Sequence, residues 1–314
     1  MLTILTITLP IFVIVALGWG TTRAGLFSAP DMRVLGRFVI NIALPALLFG
    51  AVAKRDLAEV FNPVFLGIYA LGCLTMVAGG IIWFHRIKGF DLARAGICIM
   101  GTACSNSGYM AFPILSLIYP DTAPLVLAMG MIVENLVMIP VCLIVISLGR
   151  KGGDGVWGLV KHILRDLSRR PLIVALAVGL SWSVLGLPIP DLLDRVVTLI
   201  AASTVPVALF VIGGSLIGVT LRGNIGLAAQ IVFGKLILHP VAILLAFALF
   251  AALGAPALPP EMRIGLLLTA AVPMLGVYPI FAQEHGMEAL ASLAMLMATV
   301  LSFVTLSLAL AFLL

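Results

Sequence analysis

The sequence predicts an all-α integral membrane protein of ten transmembrane helices, arranged as two inverted five-helix repeats with broken, crossing helices four and nine. Three observations lead there. The chain of 314 residues is 62% hydrophobic and only 10% charged, with a mean hydropathy of +1.25. Its apolar residues fall into runs of bilayer length, separated by Gly, Pro and charge clusters. Its two halves carry the same marks at matched places.

Soluble globular chains carry about 25% charged and about 45–50% apolar residues, and a 33.0 kDa chain has more surface than so few charges can cover. A water-soluble enzyme is excluded, and the bilayer is the expected solvent and partner. The net charge of +5 suggests nucleic acid only where charges cluster on one face. Here they stand singly between apolar runs, so no nucleic-acid partner is expected. Cys73, Cys98, Cys104 and Cys142 lie inside apolar runs, without a CxxC pair or a His at ligand spacing. They read as small core residues, and no metal site is expected.

A spanning helix needs about 20 mostly apolar residues. The first segment, Thr3 to Trp19, lacks the basic start and small-residue cleavage site of a signal peptide, so it reads as a span. Four more follow in the first half: Arg33 to Ala53, Pro63 to Phe84, Leu92 to Tyr119 and Thr122 to Leu148. The second half offers Pro171 to Leu187, Asp191 to Val219, Gly223 to Leu253, Glu261 to Ala282 and Met287 to Leu314. Thirteen of the 18 Lys and Arg residues lie in or beside the loops after odd-numbered segments. These loops are expected on the cytoplasmic side, which puts both termini outside, in a bacterial inner membrane. Residues 1–148 then form the first repeat, residues 149–170 a basic cytoplasmic linker suited to lipid headgroups, and residues 171–314 the second repeat.

The halves can be laid side by side. Gly25-Leu26 through Pro30-Asp31 to Pro45-Ala46-Leu47-Leu48-Phe49 matches Gly186-Leu187 through Pro190-Asp191 to Pro206-Val207-Ala208-Leu209-Phe210 with a one-residue gap. The run opening at Arg94 matches that opening at Arg263, which sets Tyr109 opposite Tyr278. Five helices is an odd number, so the second copy is inserted upside down, an arrangement typical of secondary transporters.

Segments four and nine contain material an unbroken helix would not choose. The fourth holds Ser105-Asn106-Ser107-Gly108-Tyr109 and Pro113; the ninth holds Pro273-Met274-Leu275-Gly276-Val277-Tyr278-Pro279. Each proline frees the carbonyl four residues earlier, those of Tyr109, Thr269 and Leu275. Unsatisfied backbone costs several kcal/mol in hydrocarbon, so such segments must be buried in protein or line a wet cavity. Two helices broken at matched depth would face half-helix N-termini at one another and favour an anion. A carboxylate there could bond to those N–H groups, the Asn106 amide and the Ser107 and Tyr109 hydroxyls. A pair of kinks satisfied by neighbouring helices is the alternative.

Two ionisable residues lie deep in the core: Glu134, followed by Asn135, and Lys235, with His239 one turn further on. A charge at mid-bilayer costs at least about 2.5–3.5 kcal/mol, so each needs a partner. Glu134 and Lys235 are expected either to pair with each other or to alternate between that pairing and contact with substrate or a proton. His239, just before Pro240, either relays a proton or satisfies a helix end. Asn41, four residues before Pro45, either approaches the cavity or bonds a freed carbonyl.

These residues resemble the auxin efflux carrier family, which includes bacterial malonate-transporter-like proteins and is distantly related to the bile acid sodium symporters. The likeness is carried by Asn106-Ser107-Gly108-Tyr109-Met110-Ala111-Phe112-Pro113, by Lys235 with Pro240, and by Ala271-Val272-Pro273 leading to Phe281-Ala282-Gln283-Glu284, and it extends over essentially the whole chain. It implies a scaffold of helices 1, 2, 6 and 7, a transport domain of helices 3–5 and 8–10 that moves against it, and a homodimer. It places Asn106 on the family's substrate-binding asparagine and Asn135 near a polar pocket position. The plant members' long central loop is replaced here by the short stretch from Gly149 to Arg170.

The function expected is secondary transport of small organic anions by alternating access, with no cofactor beyond a proton or sodium gradient, since no P-loop for ATP is present. Sodium-coupled symport is the rival, and an intramembrane enzyme using Ser105 or Ser107 with His239 is a remote one.

Overall fold

The computed structural model describes residues 2–149, 161, 165, 168–217 and 224–313, with side chains described outside 2–8 and 312–313. The expected linker, residues 149–170, falls mostly outside them. Among the described residues every regular element is a helix, and extended pairing is confined to one isolated bridge. The helices are α1 (Leu2–Arg23), α2 (Ala29–Ala53), α3 (Leu57–Ile87), α4 (Leu92–Ala103), α5 (Ser107–Ile118), α6 (Ala123–Leu148), α7 (Pro171–Leu185), α8 (Asp191–Ser215), α9 (Ile225–Ala252), α10 (Pro260–Ala271), α11 (Tyr278–Gln283) and α12 (Glu288–Leu313). Of these, α2, α3, α6, α8, α9 and α12 are long and apolar enough to cross a membrane. The chain is a helical integral membrane protein. Residues such as Leu192 and Leu199, 77% and 74% exposed, are then ordinary lipid-facing side chains rather than a defect of packing.

Helix α2 starts before its expected first residue, Arg33, because its cap lies upstream. The Ser28 N–H and hydroxyl both donate to Asp31 Oδ2, at 2.7 and 2.6 Å, and Pro30 suits the first turn. The expected fourth and ninth segments are each divided, between α4 and α5 and between α10 and α11.

Prolines reshape four of the helices in one way. Val39–Ala43, Ser107–Ala111, Glu134–Met138 and Gly234–Leu238 are π-helical stretches, and each is followed two residues later by a proline: Pro45, Pro113, Pro140 and Pro240. The proline ring clashes with the carbonyl four residues back and offers it no N–H. Widening the turn by one residue relieves that clash. The N–H groups of Leu44, Ile139 and His239 accordingly reach back five residues, to the carbonyls of Val39, Glu134 and Gly234. Such single π-turns recur at functional sites, and Asn41, Ser107, Tyr109, Glu134, Asn135 and Lys235 all lie in these four.

The chain divides into two compact units. The first comprises residues 1–62, 108–129 and 166–218; the second comprises 63–107, 130–165 and 219–314. In the first, α1 lies against the C-terminal half of α8 and α7 against the C-terminal half of α2. The α1–α8 contact is backbone to backbone: a Cβ at Gly213 would stand 1.9 Å from the Val15 carbonyl oxygen, and one at Gly18 2.1 Å from that of Phe210. In the second, α9 packs on α3 and α12, while α4 packs on α3 and the C-terminal half of α6. The polar core of the protein lies in this second unit.

Candidate substrate site at the paired helix breaks

Helix α4 ends at Ala103 with Cys104 extended, and α10 ends at Ala271 with Val272 extended. The two unwound segments run antiparallel. Ser105 bridges Met274, and the Asn106 N–H donates to the Pro273 carbonyl at 2.9 Å. The Leu275 carbonyl, freed by Pro279, accepts from Tyr278 N–H at 2.9 Å. Backbone that no helix satisfies is thus partly paired across the break, which meets the demand of a hydrocarbon environment.

Asn106 is half-buried, and its side-chain amide makes no hydrogen bond to the described residues. The adjacent wall is Gly276, exposed and without a side chain; a Cβ there would stand 3.8 Å from Asn106 Nδ2. Pro273 is buried on the opposite strand. The free amide with two donors and an acceptor is a ready contact for a carboxylate.

The neighbours of Asn106 are tied down. Ser105 Oγ accepts from Lys235 Nζ at 2.8 Å, and Ser107 Oγ donates to Glu134 Oε1. Lys235, fully buried on α9, also donates to the Ala270 carbonyl at 2.8 Å and stands 2.8 Å from His239 Nδ1. Glu134, 3% exposed, also accepts from the Tyr69 hydroxyl at 2.6 Å. His239 Nε2 lies 3.3 Å from Cys73 Sγ, and its ring is near parallel to that of Tyr69 at 6.4 Å.

Several expectations are corrected by this arrangement. Glu134 and Lys235 form no ion pair; those among the described residues are Lys54–Asp194 and Arg55–Glu59. The reason is that Ser107 and Tyr69 already hold the carboxylate while Ser105, Ala270 and His239 hold the ammonium. His239 does not satisfy a helix end, because both its nitrogens meet side chains. Neither Ser105 nor Ser107 is hydrogen-bonded to it: Ser105 meets Lys235 and Ser107 meets Glu134. The Ser107 hydroxyl is given to Glu134, and the Tyr109 hydroxyl to the Gly36 carbonyl at 2.7 Å.

The remaining sequence-derived candidates are scattered. Asn135 is buried and donates to the Met131 carbonyl at 3.0 Å. Gly108, Tyr109 and Pro113 fall in the first unit, as does Asn41, whose exposed amide donates to the Arg37 carbonyl at 2.9 Å. Tyr278 is fully buried, with its ring against Gly101, where a Cβ would stand 2.8 Å from Tyr278 Cζ; its hydroxyl has no partner among the described residues. Tyr69 was not singled out by the sequence, and Cys73 only as a small core residue. The signal was there: one of only four tyrosines, one turn before a cysteine inside an apolar span.

A family model described as membrane transport protein matches residues 3–310. The chain belongs to this family. The auxin efflux carrier-like resemblance of the sequence is borne out with it. This membrane transport protein is 30% identical over 245 residues to the Escherichia coli (strain K12) protein named "Uncharacterized transporter YfdV", covering 76% of each chain. It is 28% identical over 309 residues to a Rhizobium meliloti protein named "Putative malonate transporter", covering 95% of this chain and 92% of that one. A Methanothermobacter thermautotrophicus protein named "Uncharacterized transporter" is 24% identical over 309 residues, 96% of this chain and 95% of its own. In the membrane transport protein, then, a free amide at paired helix breaks and a buried lysine and glutamate occupy one compact unit.

Proposed function

We propose that this protein is a secondary transporter of small organic anions, mono- or dicarboxylates of malonate size, working by alternating access about the crossing of the fourth and ninth spans. The observation that carries the reading is the Asn106 amide: half-exposed and without a hydrogen bond to the described residues, at the paired breaks, in a segment whose flanking serines are both engaged. Half-helix ends at such breaks carry partial charge and free N–H groups, which suit a carboxylate. A transport-family match over nearly the whole chain and a relative named for malonate support the same substrate class.

On this reading the ten apolar segments span the membrane as two inverted five-helix repeats with both termini outside, and a transport domain of spans 3–5 and 8–10 moves against a scaffold of spans 1, 2, 6 and 7 during transport. Asn106 contacts substrate; Ser105, Ser107, Lys235 and Glu134 hold it in place. The test is a thermal-shift series of mono- and dicarboxylates on detergent-purified protein. A carboxylate of the right size raises the Tm of the wild type and leaves that of Asn106→Ala unmoved. Equal stabilisation of both forms would place the ligand elsewhere.

A further inference from the structure

We propose that Lys235 is the built-in cation of this site: its ammonium fills the place a coupling metal ion would need, so that carboxylate transport proceeds without sodium. The inference rests on the proposed function and adds its ion dependence.

Helix α10 ends at Ala271, so the Ala270 carbonyl points out of the C-terminal end of a half-helix, where the dipole is negative and no helical N–H continues the ladder. Ser105 lies on the other unwound segment, paired to Met274. In transporters with broken helices, half-helix C-terminal ends and unwound backbone are where a coupling sodium ion or proton is held. Here Nζ takes the Ala270 carbonyl and the Ser105 hydroxyl, each at 2.8 Å. One ligand comes from each break, as a bridging cation would require.

The site is also saturated. An ammonium has three donors and no acceptor, and Nζ has three neighbours at 2.8 Å, the third being His239 Nδ1. With Lys235 charged, His239 carries its proton on Nε2, toward Cys73 Sγ at 3.3 Å. All three donors are used, and Lys235 is wholly buried. A second cation at the same oxygens would displace the ammonium and meet its charge. The charge in turn is placed one residue from the Asn106 amide, where it favours an anionic ligand without being spent in a direct ion pair with Glu134.

Full-length protein in liposomes, with malonate as the counterflow substrate, tests this. Wild-type counterflow stays within about twofold when choline replaces sodium, and the Tm in detergent is unmoved by sodium. Lys235→Ala opens a hole lined by the same oxygens; its counterflow falls at least about tenfold, and methylammonium, which fits the hole, restores flux and raises the Tm of the variant. Lys235→Met, which fills the hole without a charge, is equally slow and unresponsive. A wild-type rate or Tm that depends on sodium overturns the proposal, as does a folded Lys235→Ala that transports at the wild-type rate in choline or ignores methylammonium. If Lys235→Ala does not fold, the wild-type response to sodium decides. Absence of malonate counterflow under every cation would refute the transport reading, while the Tm measurements still decide the place of the cation.

Discussion

Asn106 is gripped from both sides by ionisable residues it does not touch. Lys235 holds Ser105, and Glu134 holds Ser107. Removing either charge should therefore act on Asn106 through a serine. Glu134→Ala leaves the buried Tyr69 and Ser107 hydroxyls without their acceptor, at a cost of about 1–3 kcal/mol for each group left unsatisfied, and frees Ser107. We expect a lower Tm together with malonate counterflow reduced at least about tenfold; a variant that lost stability but kept the rate would show that Glu134 is only structural. Tyr278 makes the opposite case. Its buried hydroxyl has no partner among the described residues, so Tyr278→Phe removes an unpaid desolvation and should leave the Tm unchanged or higher. A clear drop in Tm would mean that the hydroxyl is hydrogen-bonded after all.

At the scale of elements, the π-turn before Pro45, Pro113, Pro140 and Pro240 sets the rotation of everything upstream of it. Pro240→Ala lets the ladder close as a regular helix, one residue shorter per turn. That turns Lys235 by about 100° relative to the C-terminal part of α9, away from Ser105 and Ala270. The expected outcome is a loss of counterflow far larger than the loss of Tm; unchanged transport would show that the widened turn is incidental. The sequence made these places legible because polar residues just upstream of a proline, as in Asn41 with Pro45 or Lys235 with Pro240, are conspicuous inside apolar runs. The partners were not legible. Tyr69 meets Glu134 across 65 residues and Cys73 meets His239 across 166, and nothing local in α3 distinguishes a hydroxyl facing a carboxylate from one facing lipid. Their shared need of a partner deep in the core likewise suggested that Glu134 and Lys235 would meet; depth in the core does not fix the angle around a helix, and the serines beside Asn106 reach each of them first. Helix α2 was dated too late because its first turn is charged and polar, although Ser28 and Asp31 spelled out its cap.

For the molecule as a whole, scarcity of charge does the organising. Of the 18 basic residues, thirteen lie with the odd-numbered loops, and this bias predicts termini outside. Epitope tags at either end should bind antibody on intact spheroplasts; labelling only after permeabilisation would reverse the orientation. The two compact units divide the work in the same terms. One is closed by glycine-mediated contacts such as Gly213 on Val15, while the other buries the lysine and the glutamate and holds the half-buried asparagine. On the proposed function, this asparagine binds a small carboxylate that the protein then carries across the bilayer. Saturable counterflow of radiolabelled malonate into proteoliposomes preloaded with malonate measures it most directly. Wild type should show counterflow that Asn106→Ala lacks, at equal reconstitution and equal Tm; indistinguishable flux in the two proteins would contradict the account.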